Sequence, residues 1–232
     1  MNAWAQTVTG RPLDYPGPVV EPIHLYTEIA HGLSIISRFA GATDMAYSVA
    51  QHSVQMAEAA EHETGDRELA AFCLLHDAHE TPFGDIPSPT KMAIADEITA
   101  SIIRAGGTEA AGQHAAGYFK RAIKTITGRQ DRAIVEAAGL DYARFVARAR
   151  EITEYDLRAL FTEREHLLRR PPRPWAIDDR RWKPLPLKRG PIRPWPAAAA
   201  YERFVGALDR LCPIGAAAAG RESALQNEGL PA

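Results

Sequence analysis

Residues 70–85 read AAFCLLHDAHETPFGD, and the way this stretch folds decides the rest of the chain. Leu69, Phe72, Cys73 and His76 recur at helical spacing and share one stripe, with Asp77 beside it below Ala70 and Cys73. The pattern predicts a helix from about Asp66 to Glu80, stopped by Pro82 and followed by the Pro/Gly-rich loop TPFGDIPSPT. Two other predicted helices carry a similar anomaly. On one, from about Ala46 to Glu61, His52 joins Met45, Val49 and Met56 on a single stripe. On the other, spanning 141–168, Asp156 joins Phe145, Ala149, Ile152 and Leu160. An imidazole or carboxylate on an apolar face is costly unless it finds a partner. One such histidine is usually a satisfied core residue. Three helices that each offer one are better explained by a shared cation, to which imidazole nitrogens and carboxylate oxygens all bind. The expected ligands are His52, His76, Asp77 and Asp156.

Glu80 follows His76 by one helical turn and projects from the same face. Asp85 comes just after the turn at Pro82-Phe83-Gly84, within reach of the same point. Carboxylates beside a ligand set suggest proton transfer, because a bound cation brings the pKa of water toward neutral. The plain alternatives are a solvated helix end for Glu80 and a turn cap for Asp85.

The bulk composition narrows the class. A chain of 232 residues, 46% hydrophobic and rich in alanine at helical spacing, is enough for one mainly helical domain with a sizeable core. A formal charge of −2 gives no bulk electrostatic reason for nucleic acid or a membrane surface to be the main partner. No apolar run approaches a membrane span. The first residues, MNAWAQTVTGRPLDYPG, lack the basic and apolar regions of a signal peptide. Cys73 and Cys212 offer no disulfide framework, and Cys73 reads as a buried thiol, which fits a reducing cytoplasm.

Residues 1–22 read as an extended, proline-rich lead-in, 23–168 as the helical core, 169–212 as a strap and helix packed on it, and 213–232 as a disordered tail. Within the core, further helices are expected over 28–40 (ended by Gly41), 90–104, 108–127 and 130–138. The strap, 171–196, holds eight of the 17 prolines and three of the four tryptophans, among many arginines. Aromatic and basic residues interleaved in this way can bind single-stranded nucleic acid. The plainer reading, an extended segment anchored by its tryptophans, suits the prolines better. A helix near 197–211 docks after it.

The blocks IAHGLSIISRFAG (29–41), YSVAQHSVQMA (47–57), LLHDAHETPFGDIPSPTK (74–91) and ITEYDLRAL (152–160) resemble the HD-domain metal-dependent phosphohydrolases. The closest likeness is to the branch with the bacterial 5'-deoxynucleotidases and phage-type dATP triphosphohydrolases. The resemblance covers residues 23–168. It implies an all-α helical bundle with one divalent transition ion (Co, Mn, Zn or Fe) at the four ligands and room for Mg nearby. It also implies that Glu80 and Asp85 are the acidic catalytic groups. Arg38 takes the place of the arginine that contacts the substrate phosphate. Phe39 stands where that branch often has tryptophan. Lys91 and His79 complete the expected substrate contacts. The activity expected is hydrolysis of a deoxynucleotide, releasing phosphate or triphosphate. The competing expectation is a non-catalytic, metal-containing module that binds single-stranded nucleic acid through the strap. Homo-oligomers remain open under either.

Overall fold

The structure, a computed structural model, describes residues 3–175, 182–188 and 190–220. These residues form a helical bundle with one small hairpin. Strand β1 (Trp4–Gln6) pairs antiparallel with β2 (Pro12–Asp14), Ala5 opposite Leu13, and the buried Leu13 anchors the pair. This hairpin lies in the lead-in, where the sequence shows no alternating pattern.

The first helix lies earlier than its periodicity predicts. α1 (Pro22–His24) runs through a π-helical stretch (Leu25–Ile29) into α2 (Ala30–Ile35). Pro22 suits a first turn because it has no N–H to leave unsatisfied. Ile36 and Ser37 are extended, and the Val49 N–H donates to Ile36 O at 3.0 Å while the Arg38 N–H donates to Tyr47 O at 2.8 Å. Those bonds tie the exit of α2 to the entry of α3. Arg38 therefore sits on a short 3₁₀ turn (Arg38–Gly41), not on a helix end. Phe39 and Ala40 in that turn adopt left-handed backbone (φ 58° and 50°), which non-glycine residues seldom do.

The centre of the bundle is α3 (Val49–Thr64) and α4 (Arg67–Leu75). Ser48 caps α3, accepting from the Gln51 N–H. Gly65 ends it in left-handed conformation (φ 68°), and Asp66 at once caps α4 by accepting from the Glu68 and Leu69 N–H groups. So short a connection folds α4 back along α3. α4 stops at Leu75, short of the predicted Glu80. Residues His76–His79 form a turn closed by tight bonds, Ala78 N–H to Leu75 O and Glu80 N–H to Asp77 O. Pro82 is not the stop; it lies inside a short α5 (Glu80–Phe83).

α6 (Ser88–Arg104) and α7 (Glu109–Ala137) form a long helical hairpin. α7 is continuous where the sequence predicts two helices; the Gly128 carbonyl, near the expected break, accepts from the Tyr142 hydroxyl at 3.2 Å. Conversely, the helix predicted over 141–168 is two, α8 (Tyr142–Ala147) and α9 (Ala149–Leu167). They meet at Arg148, whose guanidinium bonds Asp66 at 2.7 Å and Glu151 at 2.6 Å. α10 (Ala197–Leu211) packs across α2, α3 and α4. Leu33, Met56, Phe72, Leu74 and Phe204 are fully buried at the centre. Each such side chain stabilises the fold by about 1.5–3 kcal/mol.

Two features close the bundle. The strap is held along α3 and α9 by Leu185 and Ile192, both buried, and by backbone bonds. The Leu185 N–H donates to Thr162 Oγ1 at 2.8 Å, the Arg158 guanidinium to Lys183 O at 3.1 Å, and the Ile192 N–H to His166 Nδ1 at 3.3 Å. His166, which helical spacing leaves without a role, thus anchors the strap. Residues 176–181 and Arg189, part of the basic run, lie outside the described residues. Beyond α10 the expected disordered tail begins instead with a helix, α11 (Pro213–Ala218), whose Gly215 packs against Ala138. Residues 221–232, the remainder of that tail, lie outside the described residues. No helix among the described residues is long and apolar enough to cross a membrane.

Candidate metal centre

Helices α3 and α9 and the turn after α4 converge on His52, His76, Asp77 and Asp156. One ligand atom from each lies within 4.8 Å of all the others. The sequence groups these four residues correctly. It misplaces the pair His76-Asp77, which sits on the turn after α4 and not within a helix.

The hydrogen bonds fix which atoms face the centre. His76 donates from Nδ1 to Cys73 O at 2.8 Å, and His52 donates from Nδ1 to Glu163 Oε1 at 2.6 Å. Both imidazoles therefore present the Nε2 lone pair inward, and the two Nε2 atoms stand 3.3 Å apart. Asp77 Oδ2 lies 3.1 Å from His76 Nε2 and 3.6 Å from His52 Nε2, and Asp156 Oδ1 lies 3.4 Å from His52 Nε2. Four atoms that can each donate an electron pair to a cation converge here. Such a cluster calls for positive charge, and a divalent cation bound by nitrogen and oxygen supplies it. These four residues could hold a metal ion.

The titration behaviour agrees. Burial works against a charged His76, but Asp77 and Asp156 outweigh it and push its pKa up to about 9. Burial likewise opposes the Asp77 carboxylate, yet His76, His52 and Arg38 hold it well below its ordinary range. The cluster thus favours two carboxylates with added positive charge beside them.

Arg38 reaches the same centre from its turn. Its Nη1 donates to Asp77 Oδ2 at 3.2 Å, its Nε to Glu163 Oε2 at 3.2 Å, and Nη2 lies 3.8 Å from Asp156. Phe39, the next residue, is half-buried, with the Arg38 guanidinium 5.7 Å from its ring centre.

Glu80 is buried at the start of α5, and its Oε2 has no hydrogen-bond partner. Burial first, then the charges of Asp77 and Asp85, raise its pKa to about 9. Asp85 is half-buried. Burial raises its pKa too, with Asp77 adding to the shift and Arg38, His52 and Lys91 opposing it. Both acids therefore lie within electrostatic reach of the ligands. Lys91, half-exposed on the first turn of α6, acts on Asp85 through its charge. His79 points elsewhere: its Nδ1–H donates to Asp131 on α7 at 2.8 Å, tying the turn to the hairpin.

Glu163 is the residue the sequence does not reveal. It is 1% exposed and contacts His52, Arg38 and Tyr47. Arg38 and His52 overcome its burial and hold its pKa at about 2. The available signal was its place seven residues after Asp156, two turns along the same face of α9. It was masked by the charged run TEREH around it.

No protein-family model matches the chain. A stretch of 69 residues, 30% of the chain, is 42% identical to part of the uncharacterized protein YfdR of Escherichia coli, covering 36% of that protein. An uncharacterized protein of Rhodobacter capsulatus is 33% identical over 202 residues, an alignment that takes in 73% of this chain and 97% of the relative. With that identity along nearly the whole of the relative, the chain belongs to the same family as the Rhodobacter capsulatus protein.

Proposed function

We propose that the protein is an HD-type metal-dependent phosphohydrolase acting on nucleotides, with deoxynucleotides as the substrate class. The observation that carries this reading is the convergence of two Nε2 lone pairs and two carboxylates, with a buried, unpartnered acid oxygen on Glu80 close by. A structural metal site has no use for that extra acid.

His52, His76, Asp77 and Asp156 would hold the cation, whose chemistry is to acidify water and to withdraw charge from a phosphate oxygen. Arg38 binds the phosphate. A guanidinium has five N–H donors, and Asp77 and Glu163 engage only part of that set. Burial and the carboxylates of Asp77 and Asp85 raise the Glu80 pKa to about 9 and favour its protonated form. Added positive charge beside Asp77 draws that value down, and Glu80 can then take the proton of an attacking water. Asp85 orients the same water. Water attacks phosphorus, the bond from phosphorus to the nucleoside oxygen breaks, and that oxygen takes up a proton. A monophosphate yields nucleoside and phosphate, and a triphosphate yields nucleoside and triphosphate.

The nucleic-acid reading gains no support from the strap. The Arg203 guanidinium stacks 4.3 Å from the Trp195 ring centre, and Arg164 stacks 5.1 Å from that of Trp175, so each ring already has one face covered. The test is a panel of ribo- and deoxynucleotides incubated with Mn, Co, Zn or Mg, assayed for phosphate and for triphosphate. Release of either product supports the reading. No release from any member, together with salt-dependent binding to oligonucleotides, would replace it with the binding module.

A further inference from the structure

The two groups that define the site, the metal-facing His52 and the phosphate-facing Arg38, come from different elements: α3 and the turn after α2. Backbone bonds from Arg38 to Tyr47 and from Val49 to Ile36 bring the two segments together, but they do not orient the side chains. On the side away from the cluster, one buried carboxylate on a third element joins the two side chains. Glu163 Oε1 accepts from His52 Nδ1 at 2.6 Å and from the Tyr47 hydroxyl at 2.8 Å, while Oε2 accepts from Arg38 Nε at 3.2 Å. Its own helix, α9, also carries Asp156 two turns earlier.

We propose that Glu163 is the positioning residue of this centre. Its Oε1 fixes the tautomer and ring orientation that turn His52 Nε2 inward, and its Oε2 aims the Arg38 guanidinium. The inference rests on the reading of His52 as a metal ligand and Arg38 as a phosphate contact. Carboxylates that hold the second nitrogen of a ligating histidine contribute measurably to metal affinity. Glu163 differs from a simple histidine anchor in the use of its two oxygens for two functional groups. Without it, Arg38 keeps only Asp77 and Asp156 as charged partners, and its guanidinium settles onto the ligands themselves.

The division of labour between the oxygens makes Glu163→Gln a sharp test. An amide has one acceptor oxygen, so it can serve the His52 side or the Arg38 side but not both. Metal-stripped wild-type and variant proteins are titrated with Co²⁺ by calorimetry, and folding is followed by circular dichroism. The expected result is a fall in Co²⁺ affinity of about 10–100-fold in folded Glu163→Gln, with part recovered in Glu163→Asp, which keeps both oxygens. A loss of at least about fivefold supports the proposal; a smaller one, with only the melting temperature lowered, assigns Glu163 a merely structural role and overturns it. If Glu163→Gln does not fold, Glu163→Asp is held to the same standard: a loss of at least about fivefold supports the proposal and a smaller one overturns it. A wild-type protein that binds no Co²⁺ overturns the metal reading itself and the inference with it. Equal binding by wild type and variant removes only the role of Glu163.

Discussion

At the scale of single residues, the proposed function gives the clustered His52, His76, Asp77 and Asp156 one task, holding a cation, and the nearby Glu80 another, moving a proton. Glu80 touches none of the four ligands through a side-chain hydrogen bond, yet it lies buried and unpartnered within their field. Glu80→Gln should therefore keep the metal while lowering turnover by about 10²–10⁴-fold, as loss of a general acid–base group does. Metal content and initial rates on the same preparation decide it; full activity with full metal would exclude Glu80 from proton transfer. The four clustered residues were legible in the sequence because His52, His76 and Asp156 interrupt stripes of apolar residues. Glu80 and Asp85 were legible through their spacing from His76. Glu163 was not. A glutamate among Thr162, Arg164 and Glu165 looks like a solvated helix face, and only the packing of α9 against α3 buries it. The partner of His79 was hidden for a different reason: Asp131 is 52 residues away and has no periodic link to it.

At the scale of elements, the segment from His76 to Phe83 must be held from outside, because it is a turn and a one-turn helix with little stability of its own. Gly32 on α2 is part of that support. A Cβ placed there would stand 2.4 Å from Thr81 Cγ2, and Thr81 in turn donates its hydroxyl to Ile29 O. Gly32→Ala should cost about 1–3 kcal/mol through overpacking. It should also displace α5, so that turnover falls while metal is retained; unchanged melting and activity would show that α5 is not seated by this contact. Asp66 supports the other side, capping α4 and binding Arg148 at the start of α9. Asp66→Ala should cost about 1 kcal/mol at neutral pH, typical of a lost N-cap. The Leu69 N–H first, then Arg148, lowers the Asp66 pKa from 3.8. A lowered folded pKa means that the carboxylate stabilises fully above the unfolded value and ceases to do so as pH falls through the folded one. The gap between wild type and variant in urea unfolding should therefore be present at pH 7 and shrink as the pH falls below 3.8 through the lowered folded value. A gap that persists in acid would assign the effect to something other than this charge. The longer core helices α3, α4, α6 and α10 were legible from periodicity and caps; the short helices α5 and α11, and the places where helices break or run on, were not. The break at Arg148 and the stop at Leu75 arise from side chains reaching distant partners or a turn carbonyl, which no local pattern encodes.

At the scale of the whole molecule, the described residues of the strap and α10 pack on the helical core. Buried Gln51, next to His52 in sequence, holds the strap at two points: its amide donates to Arg193 O at 2.9 Å and accepts from the Trp195 N–H at 2.8 Å. Gln51→Leu leaves both backbone groups without these partners, at about 1–3 kcal/mol for each that stays buried. Denaturant unfolding should register that loss, and wild-type stability would mean that the strap is held elsewhere. The extended form of the strap could be read from its prolines. Its anchors could not, because Gln51 and Thr162 look like ordinary polar residues on amphipathic helices. The bundle, the strap and the hairpin all bear on one claim, that His52, His76, Asp77 and Asp156 together hold a cation. The most direct measurement is a titration of metal-stripped protein with Co²⁺, followed by the visible absorbance of the bound ion. The structure predicts saturation at about one ion per chain, with Asp77→Ala abolishing the signal while the protein stays folded. No saturable signal in the wild type, or an unchanged one in Asp77→Ala, would contradict it.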